Sequence, residues 1–168
     1  MDGRLAVLFF LLSGGDAAVN YCDQGCLRPL TAERRLTFGG SQVQFQDDDI
    51  GSELYLGYDM GRRFGPVQLT TAFSVTDQGD TWVGFGGKWS GHLGNFVLES
   101  QFLPGLYFQG GGPDIGTMVE FRSGIAAGYE FSNGGRLVVS YDHRSNADLS
   151  KTNPGLETIG IRYSISWK

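Results

Sequence analysis

The chain has 168 residues, of which 40% are hydrophobic and 13% aromatic, and a chain of this length is normally one domain. No run approaches the ~18 apolar residues of a membrane-spanning helix, which argues against a helical membrane protein. The formal net charge of −5 and the lack of a basic stripe argue against a nucleic-acid partner.

The first 17 residues have the pattern of a signal peptide. Arg4 precedes an apolar block at residues 5–12, and small residues follow. This order predicts a signal peptide over residues 1–17, cleaved after Ala17, and therefore export of the protein.

Residues 18–35 show no clean periodicity, and we interpret them as a leader segment on the N-terminal side of the main domain. They contain Cys22 and Cys26, with no neighbouring His or second cysteine pair. A small disulfide loop in an oxidising compartment is therefore favoured over a metal site.

The rest of the chain alternates between apolar and polar residues in eight runs separated by turn residues, as β-strands do. The Gly39-Gly40 pair suggests a bulge or break in the first of these strands. The predicted strands cover residues 36–46, 53–59, 66–76, 81–89, 95–108, 117–131, 136–145 and 156–168.

Such strands fit either a soluble barrel or sandwich with an apolar interior, or an outer-membrane barrel with an apolar exterior. Three features favour the membrane barrel. The chain ends in an alternating strand with Trp167 next to last, although the final Lys168 departs from the usual aromatic end. Aromatic residues lie near strand ends, as in an interfacial girdle. The polar face mixes glycine with ion-pair candidates that suit a narrow lumen: Glu120, Arg122, Glu130, Arg136, Asp142 and Arg162.

We therefore predict an eight-stranded antiparallel transmembrane β-barrel over residues 36–168. Short connections at residues 60–65, 90–94 and 132–135 are assigned to the periplasmic end, as expected for such barrels. Connections at residues 47–52, 77–80, 109–116 and 146–155 then face outward, and the first contains a solvated acidic run, Asp47 to Asp49.

Three polar residues interrupt the apolar face of the last two strands. His143, Ser145 and Glu157 occupy odd positions, between residues such as Tyr141 and Ile159. Alternation and loop order place all three on the lipid-facing side at the outer end of the barrel. Ionisable groups on that side cost up to ~2–4 kcal/mol, so their convergence predicts a function. A serine, an imidazole and a carboxylate are the components of an activated nucleophile.

The motif His143-Arg144-Ser145-Asn146-Ala147, followed by Asn153 and Glu157, resembles the signature of the outer-membrane lipid A 3-O-deacylases of the PagL type. The similarity includes the hairpin that leads to the motif and is strongest over residues 119–165. It implies an eight-stranded barrel that hydrolyses the 3-O-linked (3-hydroxy)acyl chain of lipid A, with a Ser-His-Glu triad on its lipid-facing side.

By position, the resemblance implies that Ser145 is the nucleophile, His143 the base and Glu157 its orienting carboxylate. Asn146 would help to hold the oxyanion, and Asn153 would be a supporting polar residue. Asp148 stands where a small residue such as glycine is expected, which puts the shape of the loop on the substrate side in question.

The expected partners are the lipid A of lipopolysaccharide and the bacterial outer membrane, with no cofactor and no metal ion. A homodimer is one option for an oligomeric state that the sequence leaves open. The alternative function is that of a non-catalytic eight-stranded outer-membrane barrel with an adhesive or structural role.

Overall fold

The computed structural model describes residues 3–167, so the predicted strand end at Lys168 and the first two residues of the predicted signal peptide lie outside the described part. A helix, α1, spans Arg4–Asn20, and a short 3-10 helix spans Cys22–Gln24. Nine strands follow: β1 Pro29–Thr31, β2 Arg34–Phe45, β3 Asp48–Phe64, β4 Val67–Thr76, β5 Thr81–Leu93, β6 Phe96–Phe108, β7 Val119–Glu130, β8 Arg136–Ser145 and β9 Leu156–Trp167.

Strands β2 to β9 form a closed antiparallel ring. Each pairs with its neighbour in sequence, and β9 pairs with β2 to close the circle. The short β1 adds to β3 beyond the ring, with Pro29 opposite Phe64. This ring confirms the predicted eight-stranded antiparallel barrel. Closure satisfies the backbone hydrogen bonds that an open sheet edge would leave free.

The second strand of the ring, β3, is longer than the predicted strand at residues 53–59. Gln46 and Asp47 have φ values of 52° and 71°, which makes a tight turn, and Asp48 already pairs with Phe45. The predicted outer loop at residues 47–52 is therefore wrong: part of the acidic run belongs to β3. Aspartate is a poor strand former, so composition pointed to a loop where hairpin pairing continues.

The predicted break at Gly39-Gly40 is also wrong. Strand β2 runs through both glycines, and its register shift against β3 lies between Val43 and Gln44. Gly39 instead makes room for a neighbour, since a Cβ there would lie 2.7 Å from Cγ of Arg162.

The leader segment contains more structure than its lack of periodicity suggested. Cys22 and Cys26 form the predicted disulfide. The segment also contains β1 and the start of β2 at Arg34.

The two faces of the barrel have opposite character. Inside, Nη2 of Arg122 lies 2.8 Å from a Glu53 oxygen and 3.1 Å from an Asp142 oxygen, and all three side chains are buried. Outside, the side chains of Val139 and Ile161 are 59% and 58% exposed. An apolar exterior around an ion-paired interior is the arrangement of a membrane barrel, not of a soluble one.

Helix α1 lies on this apolar exterior, against β5, β6 and β7. Phe9 is buried, with its ring 6.3 Å from that of Phe102, and the indole N–H of Trp89 donates to Asp16 at 2.8 Å. None of the helices within residues 3–167 has the length and apolarity needed to cross a membrane.

The two ends of the barrel differ in their connections. The predicted connections at 60–65 and 90–94 are wrong in extent, because β3 runs to Phe64 and β5 to Leu93. Residues 65–66 and 94–95 make two-residue turns at one end, together with the short turn at 131–135. Residues 109–118 and 146–155 form the long loops at the other end, beside the predicted site. This asymmetry agrees with the predicted orientation.

Candidate active site

His143 and Glu157 meet across two neighbouring strands. They are direct partners in the antiparallel register of β8 and β9. Nδ1 of His143 lies 2.9 Å from Oε1 of Glu157, and the imidazole is buried. Because a carboxylate can only accept, Nδ1 carries the proton and donates it, which leaves Nε2 as the basic nitrogen.

Ser145 is the last residue of β8, two positions beyond His143 on the same lipid-facing side. It is partly buried and lines a groove together with Phe102 and Phe121. Nε2 of His143 has no hydrogen-bond partner among the described residues, so the hydroxyl of Ser145 is not hydrogen-bonded to it. Hydrogen bonds between nucleophile and base are often long in enzymes without substrate.

Arg144 points the opposite way from its two neighbours and anchors this strand end. Its guanidinium pairs with the buried carboxylate of Glu53 inside the barrel. A strand end fixed from the lumen side gives His143 and Ser145 a firm support on the lipid side.

Asn146 does not take the place that the sequence suggested. Its side chain is fully buried, and Nδ2 donates to the carbonyls of Ile115 (3.0 Å) and Thr152 (2.8 Å). Both amide hydrogens are used, so this amide has none left for an oxyanion. In this structure Asn146 ties the two long loops together, because it follows the alternation of β8 and faces inward.

Asn153 lies on the groove side and lines it together with Ser145. Its Oδ1 accepts the backbone N–H of Asn146, and its Nδ2 donates to Asp148, both at 3.0 Å. One hydrogen of this amide remains, because an amide nitrogen carries two.

Asp148 has a φ of 61°, and Ala147 before it has a φ of 51°. This left-handed conformation is the one that glycine adopts most easily and that aspartate tolerates. The expectation of a small residue here thus has a backbone reason. Asp148 also lines the groove that contains Ser145.

Two residues of the site were missed from the sequence. Gly155 packs on the imidazole: a Cβ at this position would lie 2.8 Å from Cε1 of His143. Ser123 lies directly opposite His143 in the register of β7 and β8, and it is buried. The alternation of residues 119–129 could have placed Ser123 on the lipid-facing side, but the pairing of β7 with β8 was needed to bring it to His143.

Residues 3–167 contain no group of three or more metal-ligating side chains that could hold a metal ion.

Comparisons with known proteins give the family. The family model described as "Lipid A 3-O-deacylase (PagL)" matches residues 67–166, more than half of the chain. "Lipid A deacylase PagL" of Pseudomonas aeruginosa is 36% identical over 55 residues, which are 33% of this chain and 32% of that protein. The protein of the same name from Bordetella bronchiseptica is 22% identical over 161 residues, covering 82% of this chain and 88% of that protein.

Solved structures agree on the fold. The crystal structure of the outer membrane enzyme PagL superimposes with a TM-score of 0.62 at 19% identity, over 78% of this chain and 98% of that one. A de novo designed transmembrane β-barrel gives a TM-score of 0.60 at 12% identity, over 82% of this chain and 98% of that one. The barrel is thus shared widely, whereas the family match rests on the sequence of residues 67–166: this chain belongs to the lipid A 3-O-deacylase (PagL) family.

Proposed function

We propose that this protein is an outer-membrane esterase that hydrolyses the 3-O-linked (3-hydroxy)acyl chain of lipid A. In this proposal Ser145 is the nucleophile, His143 the general base and Glu157 its orienting carboxylate.

The observation that carries the proposal is the His143–Glu157 hydrogen bond of 2.9 Å on the lipid-facing side, beside a groove that contains Ser145. A barrel without catalytic function gains nothing from burying an imidazole and a carboxylate among lipid-facing side chains, where such groups are costly. Membership of a deacylase family supports the same conclusion.

The reaction begins when Oγ of Ser145 attacks the ester carbonyl carbon and Nε2 of His143 takes its proton. The imidazolium, stabilised by Glu157, returns this proton to the sugar oxygen as the ester bond breaks. Water then attacks the acyl-enzyme with His143 again acting as base, which frees Ser145. The products are a (3-hydroxy) fatty acid and a lipid A that lacks one chain.

The negative oxygen of each tetrahedral intermediate needs a donor, which typically contributes ~2.7–4 kcal/mol. Of the two asparagines, Asn153 is the better candidate, because it lines the groove and keeps one amide hydrogen. Asn146 would act indirectly, since its backbone N–H bonds to Asn153 at 3.0 Å.

We also propose that residues 1–17 are a signal peptide removed during export. Gly3 and Ala6 line the outer side of the groove, so their removal would open it to the membrane. Lipid A could then enter laterally, without leaving its leaflet. The intact mass of protein isolated from outer membranes tests this, with loss of residues 1–17 expected.

The proposed function is tested by mass spectrometry of lipid A from cells that express the wild type, Ser145→Ala, His143→Ala or the double variant. Because triad members act as a unit, all three variants should lose activity by at least roughly a thousandfold, without additivity. Glu157→Ala should keep more activity, because the orienting group alone costs less.

Ser132→Ala is the matched control, since Ser132 is an exposed serine in the turn at the far end of the barrel. It should process lipid A like the wild type. Release of the fatty acid by a folded, membrane-inserted Ser145→Ala variant at the wild-type rate would contradict the assignment.

A further inference from the structure

Ser123 presents a hydroxyl that the proposed triad does not use. It lies on β7 on the lipid-facing side, where Val119 and Tyr129 are 40% and 39% exposed, yet Ser123 itself is only 4% exposed. This burial includes the cover provided by α1, which packs on β6 and β7 and most of which lies in the proposed signal peptide.

The register places Ser123 in line with the catalytic pair. Glu157, His143 and Ser123 lie side by side on β9, β8 and β7, because His143 pairs with Glu157 on one side and with Ser123 on the other. Since Glu157 holds Nδ1, the remaining nitrogen of His143 is free for the reacting groups. Ser123 thus borders the space in which the ester must lie.

Ser123 is a diagonal neighbour of Ser145, which pairs with Phe121 two positions before it. Diagonal neighbours across strands have Cβ atoms about 7–8 Å apart or somewhat less. This separation is wide enough for the first carbons of an acyl chain to lie between the two side chains.

Both serines line the same groove, which has a volume of about 370 Å³ while Gly3 and Ala6 of the proposed signal peptide cover its outer side. Its wall includes Phe102 and Phe121, whose rings stack with centroids 5.9 Å apart. Such a wall suits a hydrocarbon chain, and Ser123 adds one hydrogen-bonding group near the end where the ester is cleaved.

We propose that Ser123 is a specificity-determining residue that hydrogen-bonds the 3-hydroxyl group of the scissile acyl chain. This inference rests on the proposed function, in which Ser145 attacks the ester of that chain. The 3-hydroxyl oxygen is three bonds from the attacked carbonyl carbon, so it stays close to Ser145 and within reach of its diagonal neighbour. Ser123 then makes the enzyme prefer a 3-hydroxyacyl ester to an otherwise identical unsubstituted ester.

Ser100 shows how a structural serine on the same side differs. It is also buried, but its hydroxyl donates to the carbonyl of Gly124 at 3.1 Å, within the barrel wall. Ser100 is not among the residues that line the groove, and it therefore serves as the matched control.

The test uses two synthetic glucosamine lipids that differ only in the 3-hydroxyl of the 3-O-linked chain, presented in detergent micelles. The ratio of their kcat/KM values is measured for the wild type, Ser123→Ala, Ser123→Thr and Ser100→Ala. A neutral hydrogen bond is worth roughly a three- to tenfold preference. Ser123→Ala should lose this preference, because its activity falls at least threefold more on the hydroxylated lipid than on the other. Ser123→Thr, which keeps a hydroxyl, and Ser100→Ala should both keep the preference.

An unchanged ratio in folded Ser123→Ala would overturn the proposal. An equal loss on both lipids would also overturn it, since that result indicates a role in orienting His143 and not in recognising the chain. Ser145→Ala separates the two proposals: if it remains active on both lipids, the proposed function fails, whatever the ratio in Ser123→Ala.

Discussion

His143 is held on two sides by contacts of different kinds. Glu157 bonds to Nδ1 at 2.9 Å, and the backbone of Gly155 packs against Cε1. The hydrogen bond fixes which nitrogen carries the proton, and the packing fixes where the ring lies. In the proposed mechanism His143 is the general base, and catalytic geometry tolerates little displacement, so we expect both contacts to affect the rate.

Gly155→Ala should therefore lower activity while the barrel still assembles. A Cβ would come within 2.8 Å of the imidazole, which must shift, and a loss of about 10²-fold in kcat is expected for a displacement near 1 Å. Gly79→Ala is the matched control: Gly79 also has a positive φ, 84° against 75° for Gly155, but nothing lies within 4 Å of its added Cβ. Equal activity losses in the two variants, measured as fatty-acid release, would show that backbone strain and not the imidazole contact is responsible.

At the scale of single residues, the sequence predicted the site best where a polar side chain stands at a position that alternation assigns to the lipid-facing side. His143 and Glu157 stood out because they are polar at lipid-facing positions, and the structure joins them. Asn146 was assigned by its place next to Ser145, but alternation turns it inward, where it bonds to two carbonyls. Gly155 has no side chain for a pattern to reveal, and its contact depends on how the loop returns to β9.

At the scale of a strand, β9 combines both environments of the barrel in adjacent residues. Ile161 is 58% exposed on the lipid side, and Arg162 is 6% exposed on the lumen side, where it pairs with Asp142. Ile161→Arg should impair membrane assembly far more than Arg162→Ile, because a charge at mid-bilayer depth costs about 2–4 kcal/mol. Asp142 keeps Arg122 as a partner at 3.1 Å in the second variant.

Assembly is measured as the fraction of each variant recovered in outer membranes, with wild type as reference. Similar recoveries of the two variants would mean that the faces of β9 are assigned the wrong way round.

Strand number and order followed from the period-two pattern, because each strand has one apolar and one polar face. Strand ends were harder to predict. The turn at Gln46 and Asp47 has positive φ values in residues other than glycine. The sequence therefore lacks the glycine that usually indicates a two-residue hairpin turn. The strand in the leader segment was not predicted, because β1 has only three residues, too few for alternation to be visible.

At the scale of the whole molecule, the barrel closes through the pairing of its last strand, β9, with β2. Strand β9 bridges β8 and β2, from His143 opposite Glu157 to Arg34 opposite Trp167. A closed barrel has no edge from which detergent can separate the strands, and its interior ion pairs are shielded from solvent. The intact protein should therefore stay folded in mild detergent until it is heated.

We expect unboiled protein to migrate differently from boiled protein on a gel run in dodecyl sulfate, because only heat opens the ring. A chain truncated after residue 155 lacks β9, Leu156–Trp167, and leaves β8 and β2 without their shared partner. This truncated chain should migrate identically with and without boiling. If the full-length protein, shown to be folded by resistance to protease, also migrated identically, ring closure would not govern its stability, and the site on β8 and β9 would lack the rigid support that its geometry requires.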